Sequence, residues 1–191
     1  MSPLRREPER RRTQTGLSGL GEGGGPPLGE AKGAAHVPVK ALGVDPGLSA
    51  TGYGVVEGKG VEFRLLARGT IRTSSREPLP ARLRHIFAVL ERIVREHEPQ
   101  VVAVEEVFLA KNVSAGMLTA QVAGIVALLA DGREFYSFSP RQVKKFICGY
   151  GDAPKAQVLG MVEHLLGIDG LGSDHAADAL ALAVCALLSR R

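Results

Sequence analysis

From residue 39 onward, short apolar runs alternate with longer segments in which apolar residues recur every three or four positions. VKALGVD (39–45) reads as an apolar strand running into an Asp-Pro-Gly turn. TGYGVVE (51–57) and VEFRLLARGTIRT (61–73) follow at hairpin spacing, with Gly58-Lys59-Gly60 as the turn. Pro80 opens a helical pattern in which Leu83, Ile86, Phe87, Leu90, Ile93 and Val94 form one apolar stripe. Pro99 follows it, and QVVAVEEVF (100–108) reads as a short buried strand with carboxylates at its end. Residues 112–130 predict a second, very apolar helix, and EFYSFS (134–139) a further strand. Ser139-Pro140 opens a third helix reaching Ile147, Gly149-Tyr150-Gly151 is a loop, and helices over 153–166 and 174–189 complete the chain. Three adjacent strands followed by alternating helix and strand predict an α/β fold, a mixed five-stranded sheet flanked by helices.

Residues 1–36 break this pattern. They hold eight Gly and four Pro and contain no Val, Ile, Phe, Tyr or Trp. Such a stretch buries too little apolar surface to offset chain entropy, so it reads as a disordered extension, and residues 37–191 as a single folded domain. A weakly basic arm that contacts phosphates and an artefact of start-site choice are the alternative readings of the extension. Its arginines are followed by no apolar h-region, which argues against secretion and for a cytoplasmic protein. No apolar run approaches the ~18 residues that span a bilayer. The two cysteines, Cys148 and Cys185, are too few for a disulfide scaffold or a four-cysteine zinc site. Lys plus Arg exceed Asp plus Glu, 24 against 20, a mild excess compatible with an anionic partner.

Three carboxylates stand where a fold would rather have none. Asp45 ends one apolar strand, Glu105 ends another, and Asp178 lies in the apolar helix HAADALALAVCALL. An isolated charge in such surroundings is costly to desolvate and needs a partner or a metal. The sequence shows no obvious buried Arg or Lys partner for each. The tips of the first and fourth strands lie side by side in such a sheet, and ligands bind outside those carboxyl ends. A helix across that edge presents Asp178 to the other two, and clustered oxygens call for a hard cation such as Mg²⁺. His175 shares a helix face with Asp178 and is suited either to complete the metal shell or to handle a proton. Ser173-Asp174 reads as an N-cap followed by a first-turn acid. Arg141, Lys144, Lys145 and Lys155 form a basic cluster after the last strand, and Phe108 sits just beyond the glutamate strand.

LGVDPGLSATGYGVV, VAVEEVFLAKN, SPRQVKKFICGYGDAPKAQV and DHAADALALAV, in this order and spacing, resemble the RuvC family of Holliday junction resolvases over Val39 to Leu188. The resemblance implies an RNase H-like fold and a dimeric, Mg²⁺-dependent endonuclease that cuts two strands of like polarity in a four-way DNA junction. It places the catalytic and metal-binding roles on Asp45, Glu105 (rather than Glu106), His175 and Asp178. Two Mg²⁺ ions per site are implied, with Mn²⁺ as a substitute. Lys144 and Lys155 match family lysines near the scissile phosphates, and Phe108 matches a phenylalanine that stacks on junction bases. The RuvA–RuvB branch-migration machinery is the expected partner. The helix at 112–130 carries Gly116, Ala120 and Gly124 at steps of four, a ridge suited to pack on the sheet or on its twin across a two-fold axis.

Rival readings are an RNase H-like nuclease acting on RNA precursors, a non-catalytic junction-binding protein, and an actin-like sugar kinase or ATPase. The last shares the Asp-x-Gly hairpin but needs a second lobe, for which this chain has no second phosphate hairpin. A decayed binding protein predicts a missing acid, whereas Asp45, Glu105 and Asp178 are all present.

Overall fold

A computed structural model describes residues 37–107, 113–172 and 174–190. The predicted extension at 1–36, together with Phe108 and Ser173, lies outside the described residues. The chain order is β1 (Val39–Asp45), β2 (Ala50–Lys59), β3 (Glu62–Arg72), α1 (Leu79–His97), β4 (Val101–Glu105), α2 (Val113–Leu129), β5 (Glu134–Phe138), α3 (Pro140–Cys148), α4 (Lys155–Leu166) and α5 (His175–Ser189). One five-stranded sheet runs β3-β2-β1-β4-β5. The first three strands are antiparallel, while β1–β4 and β4–β5 are parallel. The expected mixed sheet with flanking helices is therefore what the chain forms.

Alternation along the strands sorts the core into two layers. Leu42, Val44, Val102 and Val104 pack under α1 and α2, against Ile86, Leu90, Val122 and Val126. Ala41, Val101 and Ala103 face the other way, against α5, which α3 and α4 cover in turn. Burying a Leu or Ile side chain in such a layer contributes about 1.5–3 kcal/mol. The helix-period readings hold within a residue or two at each end, the usual fraying of boundaries.

One expectation about elements needs correction, and one open alternative is narrowed. The fourth strand stops at Glu105 rather than running to 108, because its neighbours β1 and β5 themselves end at Asp45 and Phe138. The small-residue ridge of α2 does not pack on the sheet. Val122 and Val126 do so instead, Ala120 and Gly124 are exposed, and a Cβ built on Gly124 meets nothing within 4 Å.

Candidate active site

Asp45 and Glu105 are the last residues of β1 and β4, and the parallel register pairs the residues just before them, Val44 with Val104. Asp45 shares the parity of Ala41, and Glu105 that of Ala103, so both carboxylates lie on the sheet face that α5 covers. Contact there is unusually close. A Cβ on Gly43 would fall 2.0 Å from the Ala179 carbonyl oxygen, and one on Gly52 would fall 1.9 Å from that of His175. Only a bare backbone admits α5 at this depth, and Asp45 is the β1 partner of Gly52. The glycines of the second strand thus set the first turn of α5 against the tip of the first.

The helix start then delivers its side chains. Asp174 is the N-cap and accepts the backbone N–H of Ala177 at 3.0 Å, so it serves the helix rather than the cleft. This differs from the expected Ser173 cap. It also moves Asp178 from the helix interior into the first turn, where the positive end of the dipole favours a carboxylate. His175 Nδ1 lies 2.6 Å from Asp45 Oδ2. Lys155, the first residue of α4, places Nζ 2.8 Å from Asp178 Oδ2. Nothing local to either residue announces this ion pair, since the two belong to different helices.

Electrostatics report the crowding. Burial is the main cause that pushes the Glu105 carboxyl up to about 7, and the Asp45 and Asp178 charges raise it further, against the opposing pull of Lys155. Burial likewise raises Asp45, which its hydrogen bond and attraction to His175 partly offset. Among the described residues Glu105 has no hydrogen-bonding side-chain partner. A cavity of about 310 Å³ opens beside these groups, with Glu105, Asp178, Lys144 and Lys155 on its polar wall and Val158 and Leu159 on its apolar one.

Among the described residues no three His, Cys, Asp or Glu side chains close into a metal shell. As the side chains stand, His175 holds Asp45 and Lys155 holds Asp178. The donor set nonetheless fits a hard divalent cation. Three carboxylates that repel one another, one of them without a hydrogen-bonding side-chain partner among the described residues, gain most from a positive charge placed between them.

Sequence reading also missed a brace behind the site. The loop after Asp45 is held by Thr51 Oγ1, which donates to the Gly47 carbonyl at 2.7 Å, and by Thr73 Oγ1, which donates to that of Leu48 at 2.6 Å. Thr51 is fully buried, and a threonine between Ala50 and Gly52 at the start of an apolar strand was the available signal.

Comparison with known proteins decides the lineage. The profile of the family described as crossover junction endodeoxyribonuclease RuvC matches residues 41–186. This chain belongs to the RuvC family. A crossover junction endodeoxyribonuclease RuvC of Treponema pallidum is 45% identical over 147 residues, spanning 75% of this chain and 74% of that protein. The structure of T. thermophilus RuvC in complex with Holliday junction substrate superposes with a TM-score of 0.76 at 34% identity, covering 80% of this chain and 95% of that one. The yeast mitochondrial Holliday junction resolvase shares the fold at a TM-score of 0.55 and 11% identity. The RuvC assignment and the RNase H-like fold expected from the four motifs are both borne out.

Proposed function

We propose that this chain resolves four-way (Holliday) DNA junctions by hydrolysing phosphodiesters in two strands of like polarity, in homologous recombination and DNA repair. The observation that carries the reading is the meeting of Asp45, Glu105, His175 and Asp178, from two strand tips and one helix start, beside a wall bearing Lys144 and Lys155 in a RuvC-family chain. Asp45, Glu105, His175 and Asp178 are the residues that would hold Mg²⁺, two ions per site, with Mn²⁺ as a substitute. When bound, such ions activate the attacking water and offset the negative charge that develops on the phosphate.

The chain's own residues supply the rest. His175, through Nδ1, orients the Asp45 carboxylate and leaves Nε2 free to hold or move a proton. Lys144 and Lys155 attract the backbone, and Lys155 exchanges the Asp178 carboxylate for a phosphate oxygen as DNA enters. The ionised form of the Glu105 carboxyl, which burial otherwise disfavours, would be favoured when these residues hold a cation. Phe108 stacks on bases opened at the crossover, a contact worth roughly 1–3 kcal/mol per base.

Paired incision calls for two sites, and α2 offers the surface that joins them. A helix apolar on all sides is normally buried on all sides. Yet Met117 and Leu128 are 57% and 66% exposed, beside the bare Gly124. A second copy of the chain on this face makes a homodimer with two-fold symmetry, as a junction has. The proposal extends to the RuvA–RuvB branch-migration machinery as partner and to the cytoplasm as location. No helix of the described residues is long and apolar enough to cross a membrane.

The test is Asp45→Asn. This variant is expected to bind a synthetic four-way junction in a gel shift and to leave it uncut in Mg²⁺. Cleavage at the wild-type rate would remove Asp45 from the chemistry and the reading with it.

A further inference from the structure

Lys144 and Lys155 lie on the sheet face covered by α3–α5, but positive charge is concentrated elsewhere along the same edge. Residues 65–90 carry five arginines against one carboxylate, Glu77. That surplus of four equals the formal excess of the whole chain, 24 basic against 20 acidic residues. Topology places it beside the site. Asp45 pairs with Gly52, and two residues back along β2, Ala50 pairs with Arg72, the last residue of β3. The end of β3 therefore lies at the sheet edge where β1 presents Asp45. From there the chain turns into α1, on the opposite face from α5.

The first turns of α1 bring Arg82 back to that edge. Its Nε donates to Thr73 Oγ1 at 2.8 Å, and a terminal nitrogen donates to Ser49 Oγ at 3.1 Å. Ser49 is four residues past Asp45. The guanidinium is thus tied to the loop behind the site by neutral hydroxyls. Among the described residues it forms no ion pair, and neither do the exposed Arg72, Arg76 and Arg84. The carboxylate of Glu77 accepts the backbone N–H of Ser74 instead, at 3.3 Å. The first turn of α1 holds no acidic residue. Unpaired like charges near the positive end of a helix dipole repel one another, and a polyanion laid across them removes the repulsion. Arginine's planar fork matches phosphate oxygens two at a time.

We infer that the corner where β3 gives way to α1, with Arg76, Arg82 and Arg84, is a second DNA-backbone surface. A strand seated at Asp45 meets lysines on one face of the sheet edge and arginines on the other, so this corner grips an arm of the junction after it has crossed the site. The inference rests on the junction-nuclease reading. Its effect belongs to binding, whereas Asp45 and its neighbours act on cleavage.

The experiment measures junction binding by the full chain in EDTA as salt is varied, for wild type, Arg76→Ala/Arg84→Ala and Arg76→Lys/Arg84→Lys. Both positions are exposed, so thermal unfolding is expected to be unchanged. The alanine pair is expected to weaken binding about tenfold at moderate salt and to lower the slope of log affinity against log salt by about 2, near 0.9 per lost phosphate contact. The lysine pair is expected to retain most of the affinity. An alanine pair with wild-type affinity and slope overturns the inference and leaves the cleavage reading standing. A wild-type chain that binds the junction no better than linear duplex and leaves it uncut in Mg²⁺ overturns both.

Discussion

Glu105 is the residue whose surroundings say most about the site. Its carboxyl titrates at about 7 in the fold, against an ordinary value of 4.5. Between those two values the folded protein keeps a proton that the unfolded chain has released, so stability falls as pH rises. For the cation-free protein this contribution is full below about pH 4.5 and is progressively lost up to about pH 7. Thermal unfolding in EDTA across that range reads it, and Glu105→Gln is expected to flatten the dependence. An unchanged slope in that variant would assign the effect to other groups. The same carboxyl must give up its proton to a cation, so Mg²⁺ affinity is expected to rise with pH through neutrality, as calorimetric titration would show. Asp45, Glu105 and Asp178 were legible in the sequence because each interrupts an apolar run. The Lys155–Asp178 pair was not, since nothing local to either residue announces a partner in another helix.

At the scale of elements, the site depends on how deeply α5 sits. Gly43 and Gly52 give it room, and Ala179 lies on the facing side of the helix. Gly52→Ala is expected to lift the start of α5 from the sheet, with a cost of about 1–3 kcal/mol from overpacking and a larger proportional loss of cleavage than of junction binding. Equilibrium unfolding and single-turnover cleavage measure the two effects; wild-type values for both would mean that the contact relaxes without consequence. Strand and helix positions were readable from periods of two and three to four. The depth of α5 was written only in Gly43 and the glycines of TGYGVVE, and a glycine inside a strand signals a close approach without saying of what. The small-residue ridge of α2 was legible as a ridge, but its partner was not. The same residues suit a sheet and a second helix, and only the placement of Val122 and Val126 leaves the ridge facing outward.

For the whole molecule, the proposed function divides two tasks between surfaces: cleavage at the cleft beside α5 and, with a second copy of the chain, the proposed pairing of sites along α2. Leu128→Asp changes an exposed side chain far along α2 from Asp45, so the fold is expected to stand while the dimer dissociates. Sedimentation is expected to show a monomer, and junction products a shift from paired cuts to single nicks. A variant that remains dimeric would place the two-fold interface elsewhere. The overall architecture was legible because strand order follows from short connections and right-handed crossovers, whereas the assembly is a property of surfaces that one chain leaves uncovered. The most direct test of the central claim offers the purified protein a synthetic four-way junction, a linear duplex and an RNA–DNA hybrid, with and without Mg²⁺. The account predicts symmetric cuts in two like-polarity strands of the junction, only with Mg²⁺, and little cleavage of the other two. Equal cleavage of the hybrid or the duplex, or an intact junction in Mg²⁺, would contradict it.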